Sequence, residues 1–193
     1  MTSFLSSKEI DAIGFKAYGE NLKISRHACF YGASEMVIGN HVRIDDFCIL
    51  SGCIELCNFI HIAAYSAIYG GEKGVHIDDF ANISSRVSIY AINDDYSGES
   101  MTNPMIPDKY KHVQSERVKI GKHVIIGSTS VILPGVVLAE GSAFGSFSLI
   151  NKDSDAWSVN AGIPFRKMKD RSRKLLEQEE AFRNEMLSCM RKS

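Results

Sequence analysis

The sequence has almost no net charge. Its 22 Lys and Arg oppose 23 Asp and Glu, leaving a formal −1. That balance excludes the one-sign field that draws nucleic acid or an anionic membrane. No run of about 18 or more apolar residues exists, so no membrane span is expected. The opening Met-Thr-Ser-Phe-Leu-Ser-Ser-Lys-Glu lacks the basic start and apolar stretch of a secretory signal. A cytoplasmic protein is expected. The five cysteines (Cys29, Cys48, Cys53, Cys57 and Cys189) are odd in number and lack paired spacing, which argues against a disulfide framework. Cys53 and Cys57 form C-x3-C without a second ligand pair at a zinc spacing, so no metal is expected.

A helical period is also missing from most of the chain. In its place a large residue returns every six positions: Ile38, Ile44, Leu50, Leu56, Ile62, Ile68, then Ile77, Ile83, Ile89, then Ile120, Ile126, Ile132, Leu138, Phe144, Ile150. Ile24 and Phe30 begin the same series. Four positions after the large residue comes a small or aliphatic one, as at Val42, Cys48, Ser66, Ala81, Val124, Ser130 and Ser148. Cys48 is thus a core filler. A period of six fits neither 3.6 nor 3.5 but is compatible with a strand period of 2. It is the mark of a parallel β-helix of hexapeptides, three to a triangular coil, with coils stacked about 4.8 Å apart. A β-sandwich would need this phase lock to be chance. Gly39, Asp45, Asp78, Gly121, Gly127 and Gly145, each just after the large residue, suit corners with positive φ.

Other segments interrupt or frame the repeat. Residues 1–20 read as a capping segment, with Ser6-Ser7-Lys8-Glu9 as a capping box and Gly14 and Gly19 ending a short helix. Residues 21–155 read as the β-helix. Small corner loops are expected between Phe30 and Ile38 and at Tyr69 to Gly74. A long excursion is expected at 91–117, where Pro104, Pro107, Gly98 and several Asn and Asp replace the repeat. Its Met101, Met105, Ile106 and Tyr110 offer apolar surface to dock. Residues 156–193 read as a C-terminal segment and helix, with Asp170 as N-cap and a mostly apolar stripe of Leu175, Leu176, Glu179, Phe182, Met186 and Met190. The helix would cover the last coil or pack between subunits.

The hexapeptide run, V-S-I-Y-A-I-N-D-D-Y at 87–96, V-I-I-G-S-T-S-V-I-L-P-G-V at 124–136 and A-G-I-P-F-R-K at 161–167 together resemble the hexapeptide-repeat acyltransferases. The resemblance covers roughly residues 20 to 170 and looks closest to the maltose, galactoside and xenobiotic acetyltransferase branch. It implies an all-β, left-handed parallel β-helix, a homotrimer and acetyl-CoA as co-substrate. The left hand runs against the usual crossover rule and rests on the resemblance alone. The resemblance also places the pantetheine arm of CoA along Gly127, Ser128, Gly145 and Ser146. Asn151 and Lys152 match a Thr-Lys-like pair, and Arg166 and Lys167 suit the CoA phosphates. Ile163 and Phe165 depart from the family's usual Asn and Ala.

Acyl transfer from a thioester needs a base for the attacking group, donors for the oxyanion and a held carbonyl. The family's base is a His just before the excursion. Here Ile89-Tyr90-Ala91-Ile92-Asn93 leads instead to Asp94, followed by Asp95. Counting sixes puts His76 and Asp94 on one face, one coil apart, with His61 in the same slot on another face. Three accounts stay open. Asp94 or Asp95 is the base; or His76 or His61 is, with Asp94 orienting the ring; or the acceptor is an amine that needs no strong base. The function implied is O- or N-acetyl transfer to a sugar or nucleotide-sugar, in surface polysaccharide biosynthesis. The alternatives are a non-catalytic β-helix assembly module and a γ-carbonic-anhydrase-like metalloenzyme. For the latter, His76 and His112 are suitably separated but Arg117 stands where a third His would be needed.

Overall fold

The computed structural model describes residues 3–190, with side chains to 188. The outermost residues of the expected end segments, and the side chains of Cys189 and Met190, lie outside that range. The chain is a left-handed β-helix with three flat faces. On the first face, Ile24, Ile44, Ile62, Ile83, Ile126 and Phe144 lie one above another in parallel register. On the second, Phe30, Leu50, Ile68, Ile89, Ile132 and Ile150 do so. On the third, Ile38, Leu56, Ile77, Ile120 and Leu138 do so. Almost all are fully buried, as are the small residues four places on. The period of six is therefore the period of the core. Burying each aliphatic side chain contributes about 1.5–3 kcal/mol. Inward serines bond turn carbonyls of their own corner: Ser130 Oγ donates to Gly127 O and Ser148 Oγ to Gly145 O, both at 2.7 Å.

The corners differ from the expectation in one respect. Positive φ falls three residues after the inward one, at His41, Phe47, Phe59, Tyr65, Phe80, Arg86, His123, Thr129 and Phe147, and not at the glycines beside it. Gly39 and Gly127 answer to crowding instead. A Cβ at Gly39 would stand 2.2 Å from Cys57 O, and one at Gly127 2.4 Å from Ser146 N in the next coil. Left-handed conformation costs a non-Gly residue about 1–3 kcal/mol. Ring stacking offsets part of it, since an aromatic pair contributes about 0.5–1.5 kcal/mol beyond burial. Between the third and first faces, His41, Phe59, Phe80 and His123 stack at 4.5, 4.9 and 5.1 Å, with planes within 13°.

The ends are closed by different means. Helix α1 (Ser7–Asp11) starts at the expected capping box, where the Ser6 N–H donates to the Glu9 carboxylate at 2.7 Å. Ile10 joins the core at the N-terminal end. At the other end Ser158–Gly162 runs parallel to Ala143–Phe144 and antiparallel to Phe165–Asp170. Phe165 is buried edge-on against Phe144. Asp170 therefore ends a strand, where Lys167 pairs with it at 2.8 Å, and is not an N-cap. Helix α2 (Leu175–Met190) starts five residues later and lies along the aromatic corner. Phe182 sets its edge on Phe59 and Phe80, at 5.3 and 6.2 Å. Glu179 meets Lys122, His123 and Arg183, each at 2.7 Å. Burial pushes the Glu179 carboxyl up, but hydrogen bonds from Lys122, Arg183 and His123 more than offset it and hold it at about 2.

Two interruptions are milder than corner loops. Ile49–Leu56 and Ala67–Ile77 each run as one strand through a bulged corner at Gly52 and Gly71, so the insertion at Tyr69 to Gly74 stays in the sheet. Ala33–Glu35 is a single 3-10 turn.

Candidate active site

The prism is broken once, at the corner between the second and third faces. After Tyr90 the chain leaves, and Ile92–Asn93 pairs antiparallel with Gln114–Ser115 as a neck. The loop between is ordered by a 3-10 turn at Asp108–Tyr110. Val118–Ile120 then takes the third face above Val75–Ile77. Lys119 thus stands over His76, in the place that counting by sixes gave to Asp94. The count failed because the neck removes Ile92–Asn93 from the coil and the excursion delays the third side to Val118.

Under the loop lies a cleft of about 530 Å³. Its floor is Tyr69 stacked on Tyr90, ring centroids 5.1 Å apart, beside Val131 and Leu133. Asn93, Asp94, Tyr96 and Lys111 bring polar groups to its rim. Burial and the neighbouring Tyr90 push the Tyr69 phenol up, so it stays a neutral donor. Asp94 is exposed, and its carboxylate takes no hydrogen bond from the described residues. Asp95 is engaged inside the loop: it accepts from Ser97 N at 2.8 Å and from Ser100 N and Oγ at 2.9 and 2.7 Å. Those bonds hold its carboxyl well below the carboxylate range, which makes it a loop clasp and a poor base.

The histidines stand elsewhere. His61 is on the first face, its ring nitrogens facing Asp45 at 2.8 Å and Asn82 at 3.1 Å. Burial raises the Asp45 carboxyl, but bonds from His61 and Arg43 bring it below its ordinary value. His76 is on the third face, where Nδ1 meets Glu55 at 2.9 Å and Nε2 faces Cys57 Sγ at 4.0 Å. Within one chain Asp94, His61 and His76 thus occupy different sides, and Asp94 orients neither ring. His112 lies in the excursion beside Asp95, so no histidine trio converges among the described residues.

The expected CoA residues fall into two groups. Gly127-Ser128 and Gly145-Ser146 are successive rungs of the corner between the first and second faces, with the Gly127 N–H donating to Phe144 O at 2.8 Å. Ser84-Ser85 is the rung before them, and Ser85 Oγ lies 3.4 Å from Ser128 Oγ. The two residues that open each of these rungs are small, and exposed Phe147 follows them on the last. Asn151 and Lys152 leave the second face at its last rung, where the Lys152 ammonium lies 5.4 Å over the Phe165 ring. Arg166 is exposed on the closing strand. Lys167 is engaged by Asp170 at 2.8 Å and Asp155 at 3.5 Å, which raises its pKa. Sequence reasoning missed Tyr69, Tyr90 and Lys111. The tyrosines were findable, since each directly follows an inward isoleucine, one coil apart.

A family model, Bacterial transferase hexapeptide (six repeats), matches residues 117–152. The dTDP-4-amino-4,6-dideoxy-D-glucose acyltransferase of Escherichia coli is 50% identical over 94% of this chain and 95% of its own. AntD, an N-acyltransferase from Bacillus cereus solved with dTDP-4-amino-4,6-dideoxyglucose and coenzyme A, superposes with a TM-score of 0.93. It is 48% identical, over 96% of this chain and 99% of that one. That AntD structure carries a substitution at its Ser84 and another carries one at its Asp94, and this chain has serine and aspartate at the same numbers. A maltose O-acetyltransferase from Clostridium difficile shares the fold, with a TM-score of 0.56 at 18% identity over 86% of this chain and 74% of its own. With stacked columns of six-residue period, a cleft at their one break and half its residues in common with an acyltransferase of equal length, the chain belongs to the hexapeptide-repeat, left-handed β-helix acyltransferases.

Proposed function

We propose that the chain transfers an acyl group from a CoA thioester, acetyl-CoA in the simplest case, to the C4 amine of dTDP-4-amino-4,6-dideoxyglucose or a near relative. The observation that carries this reading is the identity to the Escherichia coli and Bacillus cereus enzymes along nearly the whole chain, combined with Asp94 at the cleft in place of a histidine. An amine needs far less help than a hydroxyl. The free amine attacks the thioester carbonyl, the carbonyl π pair moves to oxygen, and collapse expels the CoA thiolate. Asp94 holds the amine by a charge-assisted hydrogen bond and takes its proton as the N–C bond forms; the proton then passes to the departing thiolate. The products are the amide and CoA-SH, and Asp94 is regenerated. Ser84 follows Ile83, one rung before Gly127-Ser128 and two before Gly145-Ser146, the residues we assign to the pantetheine arm.

A homotrimer suits this chemistry. The outward residues of the second face are Cys29, Ile49, Ala67, Ser88, Val131 and Leu149, a flat and mostly apolar wall. Exposed Phe47, Tyr65 and Phe147 border it on one side. Met101, Met105 and Tyr110 of the excursion are exposed as well, ready to close on a neighbouring copy. The unpaired cysteines among the described residues suit a reducing, cytoplasmic setting. No helix among the described residues is long and apolar enough to cross a membrane. A role in surface polysaccharide synthesis follows from the acceptor class. The test is CoA release from acetyl-CoA with the 4-amino sugar nucleotide and with its 4-hydroxy counterpart. Turnover confined to the amine supports the reading; equal turnover on the hydroxyl sugar, or none on either, overturns it.

A further inference from the structure

Cys57, His76 and Asp78 belong neither to the cleft nor to the corner of Gly127, Ser128, Gly145 and Ser146. They share the edge of the third face, where Cys57 and Asp78 directly follow the register partners Leu56 and Ile77. Both backbones are fixed by the stacked coils: the Cys57 N–H donates to Ile77 O at 2.9 Å and the Asp78 N–H to Ile120 O at 2.8 Å. The Cys57 sulfur, a His76 ring nitrogen and an Asp78 carboxylate oxygen all lie within 4.8 Å of one another, and all three residues are half-buried. We propose that these three side chains form a binding site for a zinc-class divalent cation, separate from the acyl-transfer cleft.

The chemistry of the donors selects the ion. A thiolate, an imidazole and a carboxylate make a mixed set that suits zinc and excludes the all-oxygen preference of magnesium or calcium. Zinc bonded to sulfur and nitrogen at ordinary lengths sets those atoms about 3.5 Å apart in a tetrahedron. Cys57 Sγ and His76 Nε2 are 4.0 Å apart, so a small rotation of the half-buried side chains closes the difference. The second observation is the hold on the histidine. Glu55 accepts from His76 Nδ1 at 2.9 Å, which leaves the Nε2 lone pair facing the sulfur. This is the carboxylate–histidine arrangement that orients metal ligands. Arg117 shares Glu55 at 3.4 Å and balances its charge without entering the ligand set. Three protein donors leave a fourth position for water. On binding, the Cys57 proton is released to solvent and the ion ties two successive coils at one edge.

The test uses the full-length, tag-free protein after chelation and dialysis. Titration with Zn²⁺ should give one equivalent per chain and raise the melting temperature. Co²⁺ in its place should show thiolate-to-cobalt charge-transfer absorption. Cys57→Ser should abolish that absorption and the zinc-dependent rise while melting cooperatively without metal. His76→Ala should weaken binding strongly, and Glu55→Gln about ten-fold. Cys29→Ser, on the second face, should bind as the wild type does. Absence of stoichiometric zinc, or equal affinity in Cys57→Ser, overturns the proposal. If Cys57→Ser does not fold, the cobalt spectrum of the wild type decides alone: no charge-transfer band sinks it.

Discussion

Glu179 ties helix α2 to the prism through Lys122 and His123, and its removal can be worked out quantitatively. Its side chain is 9% exposed and meets Lys122, His123 and Arg183, each at 2.7 Å. A carboxyl held at about 2 rather than 4.5 favours its charged form in the folded chain by about 3 kcal/mol. The folded value is the lower one, so this stabilisation is fully present above the unfolded value, near pH 5 and upward. It is lost as pH falls towards 2. Glu179→Gln keeps the shape and removes the charge. At pH 7 it should destabilise the docked helix by about 3 kcal/mol, equivalent to roughly 6–12 °C in a chain of this size if helix and prism melt together. The assay is melting of both proteins at intervals from pH 7 to pH 2.5. The other carboxylates titrate alike in both, so the difference curve isolates Glu179. It should be large and flat above pH 5 and shrink steadily below. A constant difference across that range would refute the ion-pair account and leave the docking to Phe182 on Phe59 and Phe80 and to Arg183 on Asp79 and Phe80.

Asp94→Asn should lower kcat for the amine acceptor by about 10²- to 10⁴-fold while leaving the melting temperature within a degree or so, since Asp94 is exposed and unbonded; steady-state CoA release and a thermal melt check both halves. Ile83→Ala removes a fully buried rung of the first column and should cost about 2–5 kcal/mol by denaturant titration. Gly127→Ala forces a methyl to 2.4 Å from Ser146 N. It should cost about 1–3 kcal/mol and raise KM for acetyl-CoA more than KM for the sugar nucleotide. Asp95→Ala should loosen the Ser97–Ser100 turn and show faster amide exchange confined to the excursion, with the coils unchanged.

The core was legible because its signal is redundant. Every inward residue from Ile38 to Ile150 repeats the same statement, so a single departure such as Phe144 does not blur it. Corner chemistry was less legible. Positive φ at Phe59, Phe80 and His123 contradicts the usual residue preference, and it is tolerated because stacked rings and stacked coils over-determine the backbone. The strand Phe165–Asp170 was read as the approach to a helix, since its pairing partner Ser158–Gly162 reveals itself only once the hairpin closes. At the candidate site, Asn93 and Asp94 stand out through a local motif, and both line the cleft. The pairing of His76 with Asp94 failed. It extrapolated a period through a segment that leaves the coil, and only three-dimensional register reveals that Lys119 takes the vacated place.

The neck at Ile92–Asn93 and Gln114–Ser115 closes the excursion on itself and returns the chain to the rung it left. Everything between is consequently a cassette, attached at two adjacent points and roofing the coils without joining their columns. Transplanting residues 94–113 from a relative that keeps an aspartate at 94 would exchange the upper wall of the cleft while sparing Tyr69, Tyr90, Val131 and Leu133 beneath it. If the cleft takes the acceptor as proposed, selection could retune the recipient of the acyl group without renegotiating its donor.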